Sequence, residues 1–248
     1  NALLCCSLAL LNPGDNILLP EPYFPLYAPD AALCGAESRF YPCFFEHEFV
    51  PQVSDLEKLV DENTKAILYN FPSNPTGATI NVEQRDELLD FARRHNIWII
   101  TDEVYDRIIY GSEHVSFLGT GYEKILLVNS FSKTFAMTGW RIGYILSTNL
   151  EAMQQLIKLQ YYVTACSNDA MQYAVLAAFN EAYDYPAEMT QEFQARRDLI
   201  CERLNAMPGV SCHIPEGAFY VFPKVEVPGM NSEEVAMELL RGGVLCSP

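Results

Sequence analysis

Basic side chains are scarce in this chain: 16 lysines and arginines stand against 32 aspartates and glutamates, a formal net charge of −16 over 248 residues. Such a surface repels phosphate backbones and anionic membrane faces, so nucleic acid and membranes are not expected partners. A local basic pocket for a single phosphate stays compatible with it. Histidine is rarer still, with 4 in the whole chain, far apart. The eight cysteines, at 5, 6, 34, 43, 166, 201, 212 and 246, contain no C-x-x-C pair. No metal site is therefore read from spacing, and a reduced, cytoplasmic protein is the simplest account of the thiols. No apolar run reaches the length of a membrane span. The opening run Ala2 to Leu11 is apolar, but no basic segment precedes it and Asn12-Pro-Gly-Asp15 follows, which argues against a signal peptide. Because Asn1 is not an initiator methionine, the chain is expected to begin inside a helix, with residues missing upstream. Internal repeats, low-complexity runs and flexible linkers are absent too.

What is present is an ordinary globular composition, 50% hydrophobic and 19% charged, in a chain long enough for a sizeable core. Through residue 147 apolar strand-like runs alternate with helical stretches, which predicts an α/β fold with a mostly parallel sheet. Helices are expected over residues 2–11, 26–33, 53–62 and 82–95, the last capped by Asn81. Strands are expected over 16–20, 37–41, 65–70, 97–101, 124–129 and 141–147. The run Ile97-Trp-Ile-Ile-Thr101 is apolar throughout, as a strand covered on both faces requires. Beyond residue 147 helices dominate, at 150–162, 168–180 and 186–207. A hairpin of 210–213 with 218–224 and a final helix, 233–241, capped by Ser232, complete the prediction.

Three strings carry chemistry. Ser130-Phe-Ser-Lys133 lies between two predicted strands, with Arg141 eight residues beyond the lysine. A lysine desolvated near another cation loses its proton readily and can form a Schiff base with a carbonyl. The neighbouring hydroxyl and guanidinium suit an anionic phosphate. Asn74-Pro-Thr-Gly77 ends a buried strand in a non-helical turn, at a carboxyl end where open α/β sheets bind ligands; plain turn chemistry accounts for the same letters. Asp102-Glu-Val-Tyr105 puts a carboxylate beside a buried strand, where it needs a cation or several donors, unless it is a solvated turn residue. Phe24, in Glu21-Pro-Tyr-Phe-Pro-Leu-Tyr27, is either a stacking platform or a packing aromatic.

In this order and with these separations, Asn74-Pro-Thr-Gly77, Asp102-Glu-Val-Tyr105 and Ser130-x-x-Lys133 with Arg141 resemble the class I pyridoxal-phosphate aminotransferases, the fold type I family of aspartate aminotransferase. The resemblance runs from about Ala2 to Pro248. It implies a large α/β domain over residues 1–185, incomplete at its amino-terminal end. A long helix and part of a smaller α+β domain would follow over 186–248. It implies pyridoxal 5'-phosphate as cofactor, joined to Lys133 as a Schiff base, with Asp102 opposite the protonated pyridine nitrogen. Asn74 and Tyr105 would contact the phenolic oxygen, Ser130 and Arg141 the phosphate, and Phe24 the ring face. Lys133, Asp102 and Tyr105 would be the catalytic set, and Asn74-Pro75 a cis peptide. The implied activity moves an amino group from an amino acid to a 2-oxo acid, in a homodimer. Two other readings stay open: another reaction on the same scaffold, such as β-elimination from a sulfur amino acid, and an idle binding or regulatory module. The family's phosphate-binding glycine turn would lie before Asn1 and its carboxylate-binding arginine after Pro248. Substrate identity is therefore not read, and these residues alone are expected to make a poor enzyme.

Overall fold

The computed structural model describes residues 1–248. Its centre is a six-stranded sheet in the order β2-β1-β3-β4-β5-β6, made of β1 (Asn16–Glu21), β2 (Glu37–Pro42), β3 (Thr64–Asn70), β4 (Trp98–Asp102), β5 (Ile125–Ser130) and β6 (Gly143–Leu146). Neighbouring strands from β2 to β5 run parallel, and β6 closes the edge antiparallel to β5. The expected α/β class with a mostly parallel sheet is what the chain forms.

Alternation along each strand builds two cores, because successive side chains point to opposite faces. Leu18, Ile67, Tyr69, Ile99 and Ile125 join one cluster with Leu88, Leu89, Phe91 and Ala92 of α4 (Val82–His95). Ile17, Leu19, Ala66, Leu68, Ile100, Leu126 and Val128 join the other. This second cluster is closed by α1 (Ala2–Leu10), α2 (Tyr27–Leu33) and α6 (Leu150–Thr164), which supply Cys5 and Cys6, Tyr27 and Ala31, and Leu156. A sheet buried on both sides explains why its strands read as continuous apolar runs. No helix is long and apolar enough to cross a membrane.

Asn81 caps α4 as its sequence predicts: its side chain accepts from Gln84 N at 2.8 Å, and Gln84 Oε1 accepts from Asn81 N at 2.9 Å. Other expectations need correction. The helix expected over 53–62 is only α3 (Val53–Leu56). Leu56 is fully buried, and tight i→i+3 bonds from Lys58 and Leu59 then turn Leu59 and Val60 onto the same core. After α5 (Phe131–Thr134), α6, α7 (Asp169–Glu181) and α8 (Tyr185–Asn205), the expected hairpin shrinks to β7 (Val210–Ser211) and β8 (Lys224–Val225). Residues 216–218 bond instead to 108–110, with Tyr110 N donating to Glu216 O and Ala218 N to Ile108 O, each at 2.9 Å. The last helix, α9 (Ser232–Arg241), is capped by Asn231 rather than Ser232, because Glu234 stands three residues after Asn231 and completes a reciprocal capping box.

Candidate functional site

The carboxyl ends of β3, β4 and β5 stand level, since Asn70 pairs with Asp102 and Asp102 with Val128 across the sheet. Three chemistry-bearing segments leave the sheet along this edge, where open α/β sheets place ligands. From β3 comes the turn Phe71 to Gly77, in which the Asn74-Pro75 peptide is cis, as the resemblance implies. Asn70 anchors it: its Oδ1 accepts from Asn74 N at 2.7 Å, while its Nδ2 donates to Asp102 O at 2.9 Å. One buried side chain thus fixes the Asn74 turn relative to the end of β4.

Asp102 is the last residue of β4 and is buried, 5% exposed, so the reading as a solvated turn residue fails. Tyr27 Oη donates to Asp102 Oδ2 at 2.8 Å, and Val104 N donates to Oδ1 at 3.3 Å. Burial nonetheless pushes the Asp102 carboxyl up to about 6, against the pull of these donors and of the Lys133 charge. A carboxylate in this condition is stabilised by any further cation placed beside it. Its neighbour Glu103, equally buried, faces elsewhere and is satisfied by Thr101, His114, Ser116 and the Phe117 amide.

Lys133 lies in the one-turn helix α5 directly after β5. Its Nζ stands 5.5 Å from the Tyr105 ring centre and 5.0 Å from that of Phe219. Burial first, then the Arg141 charge, holds the Lys133 amine below the usual lysine range, with Asp102 opposing. The amine form is correspondingly easier to reach. Tyr105 is 2% exposed, within reach of the Asn74 side chain, and its hydroxyl lies 2.6 Å from that of Tyr220.

The sheet therefore brings Asn74, Asp102, Tyr105 and Lys133 to one place. Phe24 is half-buried and edge-on to Tyr27 at 5.6 Å. Ser130 caps α5, its Oγ accepting from Ser132 N at 3.3 Å. Arg141 is exposed at φ 55°, and its Nη1 donates to Thr138 O at 2.7 Å. It reaches the site through its charge on Lys133 rather than by a hydrogen bond to another site residue. Sequence reading missed Tyr27, Asn70, Phe219 and Tyr220. Only Tyr27 carried a signal, standing three residues after Phe24 in the same aromatic segment.

The family model for aminotransferase class I and II matches residues 1–248. The chain is 37% identical to an aspartate aminotransferase of Pyrococcus horikoshii over 94% of its own length and 60% of the relative's. It is 35% identical to aromatic-amino-acid aminotransferase 2 of Thermococcus litoralis over 93% of this chain and 60% of that one. The solved structure of an aromatic aminotransferase from Pyrococcus horikoshii superposes with a TM-score of 0.92 at 36% identity, covering 97% of this chain and 65% of the other. The chain spans about 60% of the length of the curated relatives it matches. A match over the entire chain, joined to the same fold at more than a third identity, makes this protein a member of the class I and II aminotransferase family.

Proposed function

We propose that this chain carries the cofactor site of a pyridoxal 5'-phosphate-dependent aminotransferase that moves an amino group from an amino acid to a 2-oxo acid. The observation that carries the reading is the placement of a half-buried lysine, Lys133, and a buried carboxylate, Asp102, at the carboxyl edge of one sheet. The donor set fits the cofactor: an amine held below its usual pKa for the aldehyde, a carboxylate that gains from a cation for the ring nitrogen, and Asn74 with Tyr105 for the phenolic oxygen. Pyridoxal 5'-phosphate, when bound, supplies an aldehyde for capture by amines and a ring that withdraws electrons from the carbon being deprotonated.

The chain's own residues do the rest. Lys133 would hold the cofactor through its amine and, as a free amine, would serve as the base that carries the substrate Cα proton. Asp102, its carboxylate held in orientation by Tyr27, would supply negative charge to the ring nitrogen. Asn74 and Tyr105 would contact the phenolic oxygen. Ser130 and Arg141 would serve the phosphate, and Phe24 a ring face. Arg141 would turn from Thr138 O to do so. We read residues 1–185 as the cofactor-binding domain and 186–248 as the entry to a smaller one. We place the protein in the cytoplasm, as a homodimer.

Borohydride reduction of the cofactor-loaded protein, followed by peptide mapping, tests the assignment. The expected adduct is on Lys133, and Lys133→Ala abolishes both the adduct and transamination. An adduct on another lysine overturns it. β-Elimination uses the same cofactor contacts, and product analysis with a sulfur amino acid separates the two reactions.

A further inference from the structure

The carboxyl-terminal segment does more than lie near this edge; it is fastened across it. Gly217 N donates to Gly77 O at 3.0 Å, Ala218 N to Ile108 O at 2.9 Å, and Thr79 Oγ1 to Glu216 Oε2 at 2.7 Å. The approach is so close that a Cβ on Gly217 would stand 2.5 Å from Pro72 Cβ, and one on Gly77 2.4 Å from Pro215 Cβ. Ala218 takes up φ 56°, a left-handed conformation unusual for a residue with a side chain. The next two side chains are aimed at Tyr105. Phe219 packs edge-on against Tyr105 at 5.3 Å and faces Lys133 Nζ. Tyr220 meets Tyr105 ring to ring at 5.7 Å and hydroxyl to hydroxyl at 2.6 Å.

Two phenols at this distance share one proton-donor direction. The hydrogen-bond partner of Tyr105 Oη is Tyr220 Oη, and either phenol can be the donor. A phenol donates one hydrogen bond and can accept others. In one arrangement Tyr105 donates and Tyr220 accepts. When an acceptor oxygen takes the Tyr105 proton instead, Tyr220 is left facing a phenol oxygen with free lone pairs, and its own O–H can turn to donate there. Donation into a phenol strengthens that phenol as a donor, because hydrogen bonds in a chain polarise one another.

We infer that Tyr220 is a positioning residue for Tyr105: its hydroxyl is the hydrogen-bond partner of that phenol, and it donates into Tyr105 when Tyr105 donates to an oxygen of the bound cofactor. The inference rests on reading the site as a pyridoxal 5'-phosphate site. It makes the strength of the Tyr105 contact depend on a residue 115 positions away in sequence, delivered by the Gly77–Gly217 contact.

Tyr220→Phe in the full-length protein loaded with pyridoxal 5'-phosphate tests it, since the variant keeps the ring and removes only the hydroxyl. Cofactor affinity is expected to fall about three- to tenfold, the equivalent of one hydrogen bond between neutral groups. The pH midpoint of the lysine-bound cofactor's visible absorption is expected to rise by about half a unit, because a weaker Tyr105 donor leaves more negative charge on the cofactor oxygen. In a Tyr105→Phe background the same substitution should change neither quantity, which a merely structural role for Tyr220 would not produce. Equal effects with and without the Tyr105 hydroxyl overturn the inference, as does an unchanged midpoint in Tyr220→Phe. If wild-type protein gives no borohydride adduct on Lys133, the underlying reading of the site fails instead.

Discussion

Tyr27 and Asp102, 75 positions apart in sequence, share a 2.8 Å hydrogen bond that lies wholly inside the protein. Tyr27 opens α2 behind β1, whereas Asp102 ends β4, so the bond ties the helical layer to the carboxyl edge of the sheet. A phenol that donates to a buried carboxylate keeps that group ionised and fixes its angle. Removing the hydroxyl by Tyr27→Phe deletes a hydrogen bond to a charged group, worth about 1.5–3 kcal/mol. The Asp102 carboxyl should then hold its proton to higher pH. Turnover is expected to drop on the order of tenfold near neutrality, with the acidic limb of the kcat profile displaced upward. A pH–rate profile identical to wild type would show that Tyr27 is only packing.

The same carboxylate should leave a mark on the stability of cofactor-free protein. Folded Asp102 keeps its proton up to about pH 6, while the unfolded chain releases it near the ordinary value of 3.8. Between those values the folded state holds more protons, so this group's contribution to stability is lost as pH rises through the window, then stays level. The loss is on the order of 3 kcal/mol. Urea unfolding of wild type and Asp102→Asn across this range should show the difference between them shrinking, then reversing, with pH. A constant difference would mean that the buried carboxyl is better solvated than its surroundings indicate.

Arg141 offers a third check, because its charge helps hold the Lys133 amine down. Arg141→Gln should raise the Lys133 pKa, leaving less free amine at neutral pH. Modification of Lys133 by a small acylating reagent, followed by mass spectrometry, should be slower in the variant at pH 7 and converge with wild type at alkaline pH. Equal rates throughout would remove Arg141 from the electrostatics of the lysine.

Gly77 sits at φ 73° with Pro215 against the place a side chain would occupy. Gly77→Ala combines a left-handed alanine, about 1 kcal/mol, with an overpacked contact of about 1–3 kcal/mol. The sum, about 2–4 kcal/mol, is to be read from urea midpoints at unchanged slope. Fluorescence of the aromatic cluster around Tyr105 should change with it, since the shift falls on the segment that carries Phe219 and Tyr220.

Most of the sheet was legible because both of its faces are buried: unbroken apolar runs at β3, β4 and β5 leave few alternatives, and Asn81 with Gln84 marks the start of α4 within one residue. Asn74, Asp102, Tyr105 and Lys133 were legible for a related reason, since each stands at or just beyond a strand's carboxyl end. What lay outside reach was any contact whose partner is distant. Nothing in the letters around Tyr220 points to Tyr105, and the backbone bonds that aim it are made by 108–110, a segment with no strand pattern. Ser232 and Asn231 are both good caps; the acid at 234 decides between them by its distance, a detail of one residue.

The bond between Gly217 and Gly77 also sets an order of events during synthesis. The chain emerges amino end first, and domains fold as their residues become available. The Asn74 turn, Asp102 and Lys133 are all made before Pro215 appears, so the segment carrying Phe219 and Tyr220 is added after the residues it packs against. Joining residues 140 apart is slow relative to local structure, because loop closure precedes the contact that rewards it. Until that contact forms, neither Phe219 nor Tyr220 is held against Tyr105, and Phe219 does not face Lys133.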